Sequence, residues 1–218
     1  MTLAAELFFS FRSPYSYLAV GRYRALAETH AVEIALRPVY PLAIRQPDFF
    51  ERNHPNWLRY TFLDMMRVAQ FHGIPFGSPR PDPIVQDIAT RKIAAEQPYI
   101  YHVTRLGQAA ARRGKGIAFA HEVGQLIWGG AENWNYEEHL YPACDRAGLD
   151  YTDVDAEAQD DARSLDAEID ANQQALEQAG HWGVPTLVFD GEPFFGQDRI
   201  EMARWRMEQK GLRPRGGG

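Results

Sequence analysis

Apolar positions fall in two different rhythms along the chain, and the change of rhythm marks its organisation. Leu7-Phe8-Phe9 is a short apolar run of strand composition. Ser13-Pro14 follows after a brief turn and has the chemistry of a helix start, with serine at the N-cap and proline at the first helical position. Tyr17, Leu18, Val20, Gly21, Tyr23, Ala25 and Leu26 then carry a helical pattern to about Thr29. Val32 to Pro38 alternates as a strand with one buried face. A strand, a helix and a strand within forty residues predict a parallel β-α-β opening.

From Pro41 to about Gly180 the period-two rhythm disappears. Asn56 to Phe71 reads as a helix, with Trp57, Tyr60, Leu63, Asp64, Arg67 and Val68 at helical spacing, and His72-Gly73 closes it. A proline-rich loop, Pro75 to Pro83, comes next. Ile84–Ala95, Tyr99–Arg113, Gly116–Trp128 and Tyr136–Ala147 predict four further helices. Asp150 to Asp170 is strongly acidic. Asp153 and Asp155 suit the cap of a helix running on to Ala179, and the acidic run reads as its solvated face.

Strand rhythm returns at Val184–Phe189. Asp190-Gly191 is a two-residue hairpin signal, and Glu192–Phe195 is the returning strand. Asp198 to Gln209 predicts a closing helix, and Gly211 to Gly218 reads as a disordered tail. The fold class expected is α/β. Residues 1–40 and 180–218 form one discontinuous domain, and residues 41–179 form a large all-helical insertion.

A strand that delivers a hydroxyl to a helix N-terminus builds a place for something negative, because the free backbone N–H groups and the helix dipole both favour an anion. Ser13 is that hydroxyl. On its own a Ser-Pro helix start needs no role beyond capping.

Composition narrows the function classes. A net charge of -6 argues against nucleic acid or an anionic membrane surface as the main partner. One cysteine, Cys144, excludes an intrachain disulfide and a dithiol cycle, and its helical setting reads as a buried free thiol. The start of the chain lacks a basic segment followed by an apolar one, and no apolar run is long enough to span a bilayer, so a cytoplasmic location is expected. Metal, phosphate-loop and hydrolase motifs are missing. His121-Glu122 has no second histidine four residues on, Gly114-Lys115-Gly116 has the spacing of a turn, and Gly-x-Ser-x-Gly does not occur. Trp128, Trp134, Tyr99 and Tyr101 read as core of the insertion, or in part as walls of an aromatic pocket.

Ser13-Pro14-Tyr15-Ser16 at a strand-to-helix junction, with Gly183-Val184-Pro185-Thr186 entering a later strand, looks like the thioredoxin fold. Its Cys-x-x-Cys positions are here Ser13 and Ser16. The set extends through Tyr60 to Arg67, Gly73-Ile74-Pro75 and Phe195-Gly196-Gln197-Asp198-Arg199. It closely resembles the 2-hydroxychromene-2-carboxylate isomerases and kappa-class glutathione transferases, over essentially the whole chain.

The resemblance implies that glutathione binds as cofactor with its sulfur beside Ser13. A serine hydroxyl forms no disulfide, but it can donate to a thiolate and so lower the thiol pKa. The backbone of Val184, before a cis-Pro185, is expected to pair with the cysteinyl part as an added strand. A trans-Pro185 at a strand entrance is the plain alternative. Gly196, Gln197 and Asp198 are expected to hold the γ-glutamyl end, with Asp198 on its ammonium group. Without the resemblance, Gln197-Asp198 would be a helix cap.

Tyr15 and Asn53 are the candidate substrate contacts. Asn53 either matches a family asparagine lining the site or serves a turn. Where the family has a lysine reaching the ligand, this chain has Trp57. Arg67 either faces a substrate carboxylate or pairs with Asp64 one turn away. The activity implied is a glutathione-dependent isomerisation of an aromatic-derived hydroxy-carboxylate by a homodimer. Glutathione transfer or peroxide reduction, or a non-catalytic thioredoxin-fold binding module, are the alternatives.

Overall fold

The computed structural model describes residues 2–46, 49, 54–87 and 92–216. The N-terminal strand β1 (Leu3–Phe9) leads to helix α1 (Pro14–Thr29) and strand β2 (Val32–Pro38), which lies parallel to β1. The hairpin β3 (Thr186–Phe189) and β4 (Glu192–Phe195) completes a four-stranded sheet of order β2-β1-β3-β4, with β3 antiparallel to β1. Leu7 sits between Leu36 on one side and Leu187 on the other.

The Leu7-Phe8-Phe9 run is apolar without alternation because β1 is covered on both faces. Leu7 and Phe9 belong to the main core with Leu18, Leu106 and Phe119, whereas Phe8 points the other way and packs with Val39 and Leu176.

Every named element between β2 and β3 is helical. They are α2 (Leu42–Arg45), α3 (Pro55–His72), α4 (Ile100–Arg112), α5 (Gly116–Trp128), α6 (Glu137–Ala147), α7 (Tyr151–Asp160) and α8 (Ala162–Gln178). Helix α9 (Ile200–Gln209) follows β4. Among the described residues no helix is long and apolar enough to cross a membrane.

The insertion is fastened to the turn between β1 and α1. A Cβ on Gly107 of α4 would lie 2.5 Å from the Phe11 ring, so only glycine allows this approach. Phe11 packs edge-on against Phe9 and Phe119, at 5.0 and 5.8 Å between ring centres. The Trp128 indole N–H donates to the Phe11 carbonyl at 3.0 Å. Arg12 forks onto Asp82 at 2.5 and 2.7 Å and lies over the Trp128 ring. Ser13 is therefore presented from a turn held on several sides.

Four expectations are corrected. Ile84–Ala95 is not a helix in its described part. Gln86 and Ile93 form a bridge, and the Gln97 side chain takes Val85 N–H and donates to the Val85 and Ala94 carbonyls, which satisfies these backbone groups without a helix. The helix expected from Asp153 or Asp155 to Ala179 is two helices meeting at Asp161, and Asp150 caps the first by accepting Thr152 N–H.

The acidic run is only partly solvated. Glu157, Asp161 and Glu168 surround Arg112, and Asp166 accepts a fork from Arg105 on α4. Part of the tail is also ordered. Ala31 N–H donates to Arg213, Arg215 N–H donates to Thr29, and the Arg215 guanidinium reaches the Ala27 and Val32 carbonyls, so the α1–β2 corner uses the tail to satisfy its exposed backbone.

Candidate active site

Helix α1 starts as the residues direct. Ser13 is the N-cap and its Oγ accepts Ser16 N–H at 3.2 Å, with Pro14 in the first turn and no acidic side chain there. The positive helix end at Ser13 is therefore not neutralised from within its own first turn. Ser13 is half-buried. Ser16 is fully buried and its hydroxyl has no hydrogen-bond partner. One hydroxyl of the Ser-x-x-Ser pair is accessible and the other is sealed in the core.

The Val184–Pro185 peptide is cis, as the resemblance implied. Ser13 Oγ donates to the Val184 carbonyl at 3.3 Å, which joins segments 171 residues apart. The Val184 side chain packs against Phe8, Val39 and Leu176. Its N–H donates to no group among the described residues. Thr186 Oγ donates to the Gly183 carbonyl at 2.7 Å, and Gly183 N–H donates to His181 Nδ1 at 2.9 Å. Burial lowers the His181 pKa, which favours the neutral ring that this acceptor role requires.

The turn after β4 lies against the same segment. Gly196 N–H donates to the Pro185 carbonyl at 2.8 Å. Gly196 has a φ of 110°, and a Cβ there would sit 2.6 Å from the Asp198 carboxylate. Only glycine lets Asp198 fold back over this turn. Asp198 also accepts from Arg199 at 2.6 Å, in an exposed pair that competes weakly with any other cation.

Arg22 holds the Gln197 main chain and side chain together, donating to both oxygens at 2.7 Å from one nitrogen. Inspection of motifs missed Arg22. The available signal was a cation inside the most apolar stretch of α1, between Gly21 and Tyr23.

Tyr15 and Asp64 come together, with the phenol donating at 2.6 Å. Burial and then Asp64 raise the phenol pKa, so Tyr15 is a neutral donor already in use. Asp64 is thus engaged by Tyr15, and Arg67 is exposed without an ion pair among the described residues. Tyr17 donates to the Pro75 carbonyl at 2.6 Å, and burial pushes its pKa up to about 12. Asn53 lies outside the described residues.

Trp128 and Trp134 are buried in the insertion core and do not wall this site. Rings do gather there, but different ones. Trp57, Phe49, Trp182, His181 and Phe195 form a chain of ring contacts beside the cis-proline segment, with Trp182 and Phe195 partly exposed. Their signal lay in adjacency, since Trp182 and Phe195 directly flank the Gly183-Val184-Pro185 and Gly196-Gln197-Asp198 motifs. A separate cleft of about 420 Å³ between Arg80, Tyr99 and Tyr136 contains none of these residues.

The family signature of the DSBA-like thioredoxin domain matches residues 5–208. The chain belongs to the DSBA-like thioredoxin family. It is 24% identical over 204 residues to the 2-hydroxychromene-2-carboxylate isomerase of Pseudomonas putida, covering 92% of each chain.

Solved structures match over nearly the whole molecule. A 2-hydroxychromene-2-carboxylate isomerase matches with a TM-score of 0.69 at 22% identity, covering 95% of this chain and 96% of that one. The cytosolic disulfide reductase DsbM of Pseudomonas aeruginosa, a structure with GSH, matches with a TM-score of 0.62 at 19% identity, covering 95% and 100%. These likenesses establish the fold.

Relatives of this family thus divide between isomerisation and thiol-disulfide chemistry. The single cysteine here, Cys144, is buried in α6, and burial followed by Asp145, Asp150 and Asp155 pushes its thiol up to about 12. That thiol is inert at neutral pH.

Proposed function

We propose that the protein is a glutathione-dependent isomerase of an aromatic-derived hydroxy-carboxylate, of the type that interconverts 2-hydroxychromene-2-carboxylate and trans-o-hydroxybenzylidenepyruvate. The observation that carries this reading is an accessible Ser13 hydroxyl at the α1 N-terminus, in contact with the segment bearing cis-Pro185, in a chain without a dithiol. The isomerase relative supports an enzyme of this kind, and the DsbM structure with GSH supports glutathione as a fitting ligand of the fold.

The residues present fit glutathione. The Val184 N–H, without a partner among the described residues, is the donor that an added peptide strand needs. Asp198 offers a carboxylate for an ammonium group, beside the turn that Arg22 braces. Glutathione, when bound, supplies a thiolate able to add reversibly to a conjugated substrate. Ser13 Oγ would steady that sulfur as an anion by donating a hydrogen bond to it, and the α1 N-terminus would add positive potential. The aromatic row from Trp57 to Phe195 offers an aromatic surface for the ring of the substrate.

The test is to incubate the purified protein with 2-hydroxychromene-2-carboxylate, with and without glutathione, and follow the ultraviolet spectrum while weighing the products. Isomerisation that requires glutathione and returns it unchanged supports the reading. A product retaining sulfur would make the protein a transferase, and turnover without glutathione would remove the cofactor from the scheme.

A further inference from the structure

A second cleft lies in the helical insertion. It forms where the proline-rich loop after α3, the start of α4 and the turn before α6 come together. Asn133 N–H donates to the Arg80 carbonyl at 2.8 Å, and the Trp134 indole donates to the Pro81 carbonyl at 2.7 Å, so loop and turn are fixed to each other. Two adjoining lobes share Tyr99 and Asn135 in their walls. The outer lobe, about 420 Å³, opens to solvent beside the exposed Arg80, Glu132 and Tyr136. The inner lobe, about 170 Å³, is walled by Val103, Leu106, Trp134 and Leu140 and bordered by His102.

Three polar groups around these lobes are unused. The Tyr99 phenol, the Asn135 amide and Nδ1 of His102 make no hydrogen bond among the described residues. All three residues are partly exposed, and of these atoms only the Asn135 oxygen is sealed. Polar side chains elsewhere in the insertion are answered. Arg105 forks onto Asp166, Gln108 donates to Glu168, and Asn172 donates to Gln108 and the Pro38 carbonyl. His102 Nε2 lies 3.0 Å from Asp155. Burial lowers the His102 pKa in spite of Asp155, so the neutral ring turns its proton toward Asp155 and leaves Nδ1 as an acceptor.

Size, polarity and charge together describe the occupant. A cavity of about 150 Å³ takes a benzene ring, so the inner lobe has room for one aromatic ring against carbon walls. The free Nδ1 is complementary to a hydroxyl proton, and the Tyr99 phenol and Asn135 amide can donate to the hydroxyl oxygen. A carboxylate finds no spare cation here. Arg80 faces Glu132 at 3.0 Å, and Glu137 and Glu138 open the helix that follows Tyr136.

We propose that this cleft is a second small-molecule site, which takes an uncharged hydroxyaromatic ligand with its ring in the inner lobe and its hydroxyl among Tyr99, His102 and Asn135. The proposal is independent of the glutathione reading, because the cleft shares no residue with the Ser13 site.

Titration with phenol, toluene and benzoate tests it, followed by NMR at the Trp134 indole N–H, a signal that Trp134→Phe identifies. Phenol is expected to move that signal saturably and to bind about 2- to 10-fold more tightly than toluene, the worth of one neutral hydrogen bond, with benzoate weaker than both. The same binding is expected in Ser13→Ala. In Val103→Phe, whose larger ring fills the inner lobe, phenol binding is expected to be lost. A signal that phenol leaves unmoved, or benzoate bound as tightly as phenol, would overturn the proposal. So would phenol binding that Ser13→Ala abolishes, or that Val103→Phe leaves unchanged. Should Val103→Phe fail to fold, Asn135→Ala decides. A reduced preference for phenol over toluene supports the site, and an unaltered preference overturns it.

Discussion

Replacing Ser13 by alanine separates its two possible duties, because they have different magnitudes and different readouts. As the N-cap of α1, its Oγ accepts Ser16 N–H at 3.2 Å. Losing a cap of this kind costs about 1 kcal/mol, which for a chain of this size lowers Tm by about 2–4 °C. As a donor to a bound thiolate, the hydroxyl is worth about 1.5–3 kcal/mol, which is about 1–2 pKa units. It gives up little to make that bond, since the proton now rests in a long contact of 3.3 Å to Val184.

The helix N-terminus contributes a further ~0.3–1 kcal/mol that survives the substitution. Starting from about 8.5 for a free thiol, the bound thiol is expected near pH 6–7 in wild type and near 8 in Ser13→Ala. Because the bound pKa is the lower one, affinity is expected to rise with pH between the bound and free values, about tenfold per unit of depression, and then level off. Thiolate absorbance in the ultraviolet, followed against pH for both proteins with glutathione, reads the shift directly. A melting temperature that falls as a cap predicts, with an identical bound pKa in both proteins, would refute the thiolate role.

Three further outcomes follow from particular contacts. Arg22→Met removes both bonds to Gln197 and frees the Gly196–Asp198 turn. Glutathione affinity by calorimetry is expected to fall about 5- to 30-fold, with about 1–2 kcal/mol lost in urea unfolding, and unchanged affinity would show that the turn needs no brace. Ser16→Ala deletes a buried hydroxyl without a partner, so unfolding free energy should stay level or rise by up to about 1 kcal/mol. A loss beyond that would reveal a bond to Ser16 Oγ.

Glu122 is buried, which pushes its pKa up. Bonds from Arg146 and Arg24 pull it down further, so it ends below its ordinary value. Its stabilisation is complete above the unfolded carboxyl value of about 4.3 and is lost as pH falls through the lower folded value. Glu122→Gln is therefore expected to flatten the acid side of the stability curve below about pH 4.5, and a curve of unaltered shape would contradict the assignment.

Local chemistry made much of the molecule legible. The Leu7–Phe9 run, the Ser13-Pro14 start of α1, the alternation of Val32–Pro38 and the Asp190-Gly191 hairpin all act over a few residues, and each appears where its pattern placed it. Two patterns misled because long-range partners outbid local propensity. Helical spacing in Ile84–Ala95 yields in its described part to the Gln97 amide, which bonds the Val85 and Ala94 backbone instead. The acidic stretch that suggested a solvated face is instead divided, part of it answering arginines on α4.

The site divides along the same line. Sequence alone determined its ingredients: an accessible serine at a helix start, a proline before β3, a Gly-Gln-Asp turn before α9, and the want of a second cysteine. Tertiary structure decided which of them meet. Ser13 touching Val184 and Arg22 braced on Gln197 are contacts between segments far apart in the chain, and Ser16 is sealed without a partner. No local pattern encodes them, because each depends on how the two ends of the chain meet when β1 pairs with β3, and only that packing determines which polar groups are satisfied.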